Sequence, residues 1–64
     1  MSRSNVYRTE QGRTIRITES DDGGLRVEQL ERGEWIQTST RMAGLRLSPS
    51  TSKLTAKQVE ALPP

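Results

Sequence analysis

Cysteine, histidine and phenylalanine are all absent from this chain of 64 residues. Without cysteine there is no disulfide framework and no thiolate nucleophile, and without cysteine or histidine the usual zinc ligands are missing. The lack of histidine also excludes a histidine general base and the catalytic triads that depend on one. Composition therefore excludes several classes of enzyme and metal site before any pattern is considered.

Apolar residues are scarce as well. They make up 30% of the chain against 28% charged residues, and the formal net charge at pH 7 is only +2. A core in a chain below about 70–80 residues supplies little stability by itself. We therefore expect one small domain over residues 1–64, frayed at residues 1–4 and 63–64. It is either stabilised by a homodimer or a protein partner, or a marginally stable monomer.

Long hydrophobic runs are also missing. No stretch approaches the roughly 20 apolar residues that a membrane span needs. Residues 1–5 lack the apolar run of a signal peptide. We expect no membrane association, and cytoplasm is the default location because the absence of cysteine is compatible with any compartment.

Glycine-containing turn signals recur about every eleven residues. They fall at residues 11–12, 20–24 and 32–33. This spacing is typical of an antiparallel meander, in which strands and turns repeat every ~8–12 residues. Between the first two turns the residues alternate, so that Ile15 and Ile17 share one face while Thr14, Arg16 and Thr18 share the other.

The same alternation predicts five short strands. They span residues 5–9, 13–18, 25–27, 34–38 and 44–47. Leu30 is out of phase with Val27, which predicts a bulge near Glu28 and Gln29. A polar run over residues 48–52 predicts a loop.

A short helix is predicted over residues 55–62. Thr55 is a good N-cap, and Gln58 three residues later completes a capping box. Leu54 and Val59 have the spacing of a hydrophobic staple across this cap. Two turns of helix do not stand alone in water, so Val59 and Leu62 are expected to pack on the sheet.

The predicted fold class is thus α+β, a small antiparallel β-meander of three to five strands with one short C-terminal helix packed on the sheet. The predicted core comprises Val6, Ile15, Ile17, Leu25, Val27, Leu30, either Trp35 or Ile36, Leu45, Leu47, Leu54, Val59 and Leu62.

Catalysis finds no support in the sequence. Serine and threonine hydroxyls are plentiful, but a hydroxyl nucleophile needs an activating base. Glu19, Asp21 and Asp22 cluster in one loop, where their spacing differs from an EF-hand and suits a hairpin turn instead. We therefore predict a protein that is not an enzyme and that uses no cofactor and no metal.

The arginines are the one feature with a functional implication. Arg16 and Arg26 are expected on one exposed face of the sheet, with Arg46 alongside. Three further side chains would add a planar basic surface at one edge: Tyr7, Arg8 and Trp35. Arginine with aromatic residues on a sheet suits single-stranded nucleic acid. The alternatives are that Glu28 and the arginines form a solubilising surface and that Trp35 belongs to the core.

Two segments carry a resemblance to a known family. Residues 44–49 (GLRLSP), followed by a helix ending at Leu62, resemble the last strand and helix of the positive-cofactor-four type coactivators. Residues 6–8 (VYR) and 12–17 (GRTIRI) resemble the first basic hairpin of that family. The resemblance implies a curved antiparallel sheet with one helix, dimerisation and binding of single-stranded nucleic acid. It implies contacts from Arg8, Arg13, Arg16 and Arg46.

The predicted function is that of a small non-enzymatic binding protein. It would be a weak single-stranded nucleic-acid binder or a transcription-related regulator. The alternative is a protein-interaction or regulatory subunit. The predicted nucleic-acid contacts are Arg8, Arg13, Arg16, Arg26, Arg46 and Tyr7.

Overall fold

A computed structural model describes residues 2–62 of the chain, which form one five-stranded antiparallel sheet and two short helices. The strands are β1 (Arg3–Arg8), β2 (Thr14–Glu19), β3 (Leu25–Glu31), β4 (Glu34–Thr38) and β5 (Ser52–Lys53). A 3₁₀ helix (Thr40–Leu47) lies between β4 and β5, and helix α1 (Ala56–Glu60) follows β5. The strand order is β4-β3-β2-β1-β5.

The turns fall where the glycines predicted them. Gly12, Gly23 and Gly33 have positive φ angles of 80°, 88° and 82°, a conformation that costs a residue without a β-carbon little. Arg32 also has a positive φ, 51°. Positive φ at two successive residues is what a two-residue hairpin requires, so Arg32 and Gly33 join β3 to β4.

The strands confirm most of the predicted alternation and correct two details. β1 begins at Arg3 and pairs with β2 from its first residue. β3 runs on to Glu31 with an unbroken register against both neighbours. The predicted bulge at Glu28 and Gln29 was therefore wrong: Leu30 is simply on the opposite face from Val27. The predicted fraying of residues 63–64 lies outside the described residues.

The core is smaller than predicted and sits under the 3₁₀ helix. Ile15, Ile17 and Val27 are fully or almost fully buried, and Ala43 of the 3₁₀ helix packs on them. Val6 is buried separately, on the other face. Two predicted core residues, Leu25 and Leu47, are exposed instead, and so is Ile36, which was the alternative to Trp35. The remaining predicted core side chains, which are Leu30, Trp35, Leu45, Leu54, Val59 and Leu62, are partly buried.

The predicted fifth strand over residues 44–47 was wrong. These residues belong to the 3₁₀ helix, which carries the chain from β4 at one edge of the sheet to β5 at the other. That path crosses one face of the sheet, and Ala43 gains burial there. Met42 and Leu45 pack on the same core from the 3₁₀ helix, whereas Leu47 is 82% exposed.

The C-terminal helix confirms the predicted cap. The Thr55 side chain accepts a hydrogen bond from the Gln58 N–H, and the Gln58 side chain accepts one from the Thr55 N–H. Regular helix ends at Glu60, and none of its residues is fully buried. Val59 lies with Leu54 and Val6 along an open groove between β1 and the helix. Among residues 2–62, no helix has the length and apolar character that crossing a membrane would take.

The burial pattern gives a stability prediction. Ile15→Val removes one methylene from a fully buried side chain and should lower the free energy of unfolding by about 0.5–1.5 kcal/mol. Leu47→Ala removes three carbons from an exposed side chain and should change it by less than about 0.5 kcal/mol. Chemical denaturation followed by circular dichroism measures both. A larger loss for Leu47→Ala would contradict this assignment of the core.

Candidate functional site

The strand register sorts the side chains onto two faces. One face carries Ile15, Ile17 and Val27 and is covered by the 3₁₀ helix. The other, here named the open face, carries the residues that alternate with these, and α1 lies only at its β1 margin. The open face consists of Ser4, Val6, Arg8, Thr14, Arg16, Thr18, Arg26, Glu28, Leu30, Trp35 and Gln37.

Arg16 occupies the middle of the open face. It lies opposite Glu28 in the β2–β3 register, and its Nε and Nη2 atoms are 3.0 and 2.9 Å from Glu28 Oε1. Its guanidinium carbon is 4.5 Å from the centroid of the Trp35 ring. This arrangement combines a charge-assisted hydrogen bond with a cation–π contact. The Glu28 side chain is only 13% exposed, so most of the Arg16 charge is compensated.

The other two arginines of the open face are freer. Arg26 is 59% exposed, and its Nε atom is 3.9 Å from Glu28 Oε1, which is beyond hydrogen-bonding distance. Arg8 is exposed near the β1 end of the face. Three arginines and one glutamate give this face a formal charge of +2, equal to that of the whole chain. The positive excess of the protein is therefore concentrated on its open face.

Three of the predicted contact residues lie elsewhere. Tyr7 pairs with Ile15 and packs against the core under the 3₁₀ helix, because its side chain is one residue out of phase with Arg8. Arg46 is in the 3₁₀ helix and binds Glu19 through a 2.7 Å hydrogen bond on the covered side. Arg13 is in the β1–β2 turn. Arg46 therefore does not lie alongside Arg16 and Arg26, and Tyr7 is not part of their surface.

Trp35 is the open-face residue that sequence reasoning left ambiguous. It was a candidate for the core or for an edge surface, and the structure puts it opposite Leu30 on the open face. The sequence signal that places Trp35 on this face is the two-residue turn at Arg32 and Gly33. Counting outward from that turn pairs Glu31 with Glu34 and then Leu30 with Trp35.

The acidic loop behaves as a turn. Asp22 Oδ1 accepts hydrogen bonds from the Ser20 hydroxyl and, at 3.0 Å, from the Gly24 N–H. The Ser20 hydroxyl, and after it the Gly24 N–H, hold the pKa of Asp22 below its ordinary value of 3.8 because both stabilise the charged form. Among residues 2–62 no group of three or more acidic side chains is arranged to hold a metal ion.

Comparison of the chain with protein-family models, with curated proteins and with solved structures found no match. The resemblance to the positive-cofactor-four type coactivators therefore stays a prediction.

The Asp22 network gives a pH prediction. Ser20→Ala removes the hydroxyl that does most to lower the pKa of Asp22, so that pKa should rise toward its ordinary value. Because the pKa is lowered in the folded state, the stabilisation is present above the ordinary pKa and is lost as pH falls through the lowered one. Carboxyl ¹³C chemical shifts of Asp22 measured against pH test this. Identical titrations in both proteins would contradict the assigned cause.

The Arg16–Trp35 contact gives a second prediction. A double-mutant cycle of Arg16→Ala and Trp35→Ala should show a coupling of about 0.5–2 kcal/mol in the free energy of unfolding. Arg16→Ala also leaves Glu28 without its partner, but this cost occurs in both arms of the cycle and cancels. Urea denaturation followed by circular dichroism supplies the four values. A coupling indistinguishable from zero would mean that the stacked geometry contributes no stability.

Proposed function

We propose that this protein is a small non-enzymatic binding module that takes single-stranded nucleic acid on its open face. The observation that carries the proposal is the concentration of the positive charge of the chain on the one face that no helix covers broadly, next to its single tryptophan. Proteins that bind single strands combine such charge with aromatic or guanidinium planes on which bases stack.

The roles of the individual side chains follow from their exposure. Arg8 and Arg26 have guanidinium groups accessible to solvent, so they are suited to bind phosphates. Arg16 and Trp35 already stack on each other, and a base would extend this stack on its exposed side. Glu28 opposes phosphate binding because it is a negative charge in the middle of the face. Binding is therefore expected to be weak and strongly dependent on salt.

The proposal extends to the class of protein. A hydroxyl nucleophile needs an activating base, whereas the hydroxyls of Ser4 and Thr18 on the open face are 2.9 Å apart and bond to each other. A transcription-related regulator acting in the cytoplasm would fit a module of this kind. We propose no enzymatic activity and no cofactor.

A protein-interaction or regulatory subunit is the second candidate function. It is favoured by a different observation, the exposure of Ile36 on β4 at the edge of the sheet. An exposed branched apolar side chain on an edge strand is typical of a site at which another chain pairs with the sheet. This candidate does not require the arginines of the open face.

Binding to labelled single-stranded DNA, measured by fluorescence anisotropy at several salt concentrations, tests the leading proposal. The double variant Arg8→Ala with Arg26→Ala should weaken binding several-fold. It should also make the slope of the logarithm of the binding constant against the logarithm of the salt concentration shallower by about 0.7 for each lost phosphate contact. The matched control is Arg41→Ala with Arg46→Ala, which removes the same charge from the 3₁₀ helix. This control should change binding much less.

Glu28→Gln supplies a test of opposite sign. It removes the one carboxylate of the open face and should strengthen binding, whereas a face that is only solubilising would gain nothing. Absence of binding at low salt, or equal losses from the two arginine pairs, would contradict the proposal. Absence of binding would favour the protein-interaction candidate.

A further inference from the structure

The two edges of the sheet are unlike each other. β5 forms one edge with only two residues, Ser52 and Lys53, and short lysine-bearing edges resist pairing with other chains. β4 forms the other edge with five residues and no bulge. It contains no proline or lysine. Three of its five residues, Trp35, Ile36 and Thr38, are of the types that favour strands. Its one charged residue, Glu34, lies at the turn end of the strand, so residues 35–38 lack the charge, proline or bulge by which proteins block an edge.

The hydrogen-bonding groups that β4 presents at this edge follow from the register. The Thr9 N–H donates to the Arg13 carbonyl at 2.8 Å, which marks that pair as hydrogen-bonded. Hydrogen-bonded and non-bonded pairs alternate along an antiparallel ladder, and this alternation can be followed through β2 and β3 to β4. Ile36 consequently bonds to β3, while the N–H and carbonyl groups of Trp35 and Gln37 point to the free edge.

The side chain of Ile36 lies at the same edge. It is 44% exposed and belongs to the face covered by the 3₁₀ helix, but it is beyond the part of that face that the helix buries. A five-residue strand thus offers two outward-pointing peptide groups on either side of one exposed apolar side chain.

We propose that β4 pairs antiparallel with β4 of a second copy of this chain, about a twofold axis that passes beside Ile36. In this register Trp35 of each copy exchanges two backbone hydrogen bonds with Gln37 of the other, four bonds in all. Ile36 lies directly opposite the same residue of the second copy and is buried by it. In this register Glu34 of each copy would lie opposite Thr38 of the other, so that the pairing brings no like charges directly opposite each other.

The register beside Ile36 is favoured over its two neighbours. An axis beside Gln37 would set Ile36 against Thr38, so that the two Ile36 side chains would no longer bury each other. An axis beside Trp35 would set Glu34 against Ile36 and bury an acid against an apolar side chain, which costs free energy. A second copy is therefore the occupant that the sequence of β4 complements. The axis stands perpendicular to the sheet, so the two open faces form one continuous surface on the same side. This interface is independent of what that surface binds.

Cysteine cross-linking tests the register. The chain has no cysteine, so Ile36→Cys introduces a single thiol. In the proposed dimer the two Cys-bearing positions form a non-bonded pair with Cα atoms about 4.5 Å apart, within the range of about 4.4–6.8 Å that a disulfide spans. Mild oxidation should produce a covalent dimer at least about tenfold faster than in the control variant Gln11→Cys, which places a thiol in an exposed turn. Equal rates would overturn the register.

A charge pair at one position tests the association without a new covalent bond. Thr38→Lys puts a positive charge opposite Glu34 of the second copy, and Thr38→Glu puts a negative charge there. Because two such pairs form across the axis, the dissociation constant of the dimer should be roughly tenfold lower for the lysine variant. Sedimentation equilibrium measures it, and each variant controls for the effect of the other on the monomer fold. Wild-type protein that stays monomeric at about 1 mM, or equal dissociation constants for the two variants, would overturn the proposal.

Discussion

The burial of Ile15, Ile17 and Val27 under the 3₁₀ helix is the contact on which the rest of the structure depends. These three side chains come from β2 and β3, and Met42, Ala43 and Leu45 of the 3₁₀ helix pack on them. A chain with few apolar residues can seal only one face of a sheet, because the burial of apolar area is the dominant favourable term in folding. The 3₁₀ helix takes the covered face, and the opposite face is left open.

The open face has no second layer to cover it, and its central side chains are stabilised by an ion pair and a cation–π contact instead. Arg16 hydrogen-bonds to Glu28 and stacks on Trp35. These contacts stabilise the largely buried carboxylate of Glu28 and the apolar ring of Trp35 without a second covering layer. Arg8 and Arg26 retain exposed positive charge on either side of the compensated centre, and this separation of roles is the basis of the proposal that the face binds single-stranded nucleic acid.

Much of the fold was predictable because its signals are local. Each turn needs a residue that tolerates positive φ, and Gly12, Gly23 and Gly33 supply it. Thr55 and Gln58 satisfy each other within one helical turn, which requires no information from the rest of the chain. The candidate site was predictable in part. Arg16 and Arg26 follow from alternation along their strands, and so does the separation of Tyr7 from Arg8, which the prediction overlooked. The position of Arg46 depends on the 3₁₀ helix and does not follow from alternation.

The sequence by itself determined the turns, the strand phases and the capped helix, since each depends on residues within a few positions of one another. The tertiary structure decided what residues 40–47 do. Leu45 and Leu47 alternate like a strand, but the chain had to cross the sheet from β4 to β5, and the burial of Ala43 on Ile15 and Val27 favours a helix there. That crossing determined the small core, the open arginine face and the free edge of β4. The scarcity of apolar residues limited the protein to one sealed face. The alternation of Ile15 and Ile17 with Arg16 selected that face, whereas only long-range packing selected the helix that covers it.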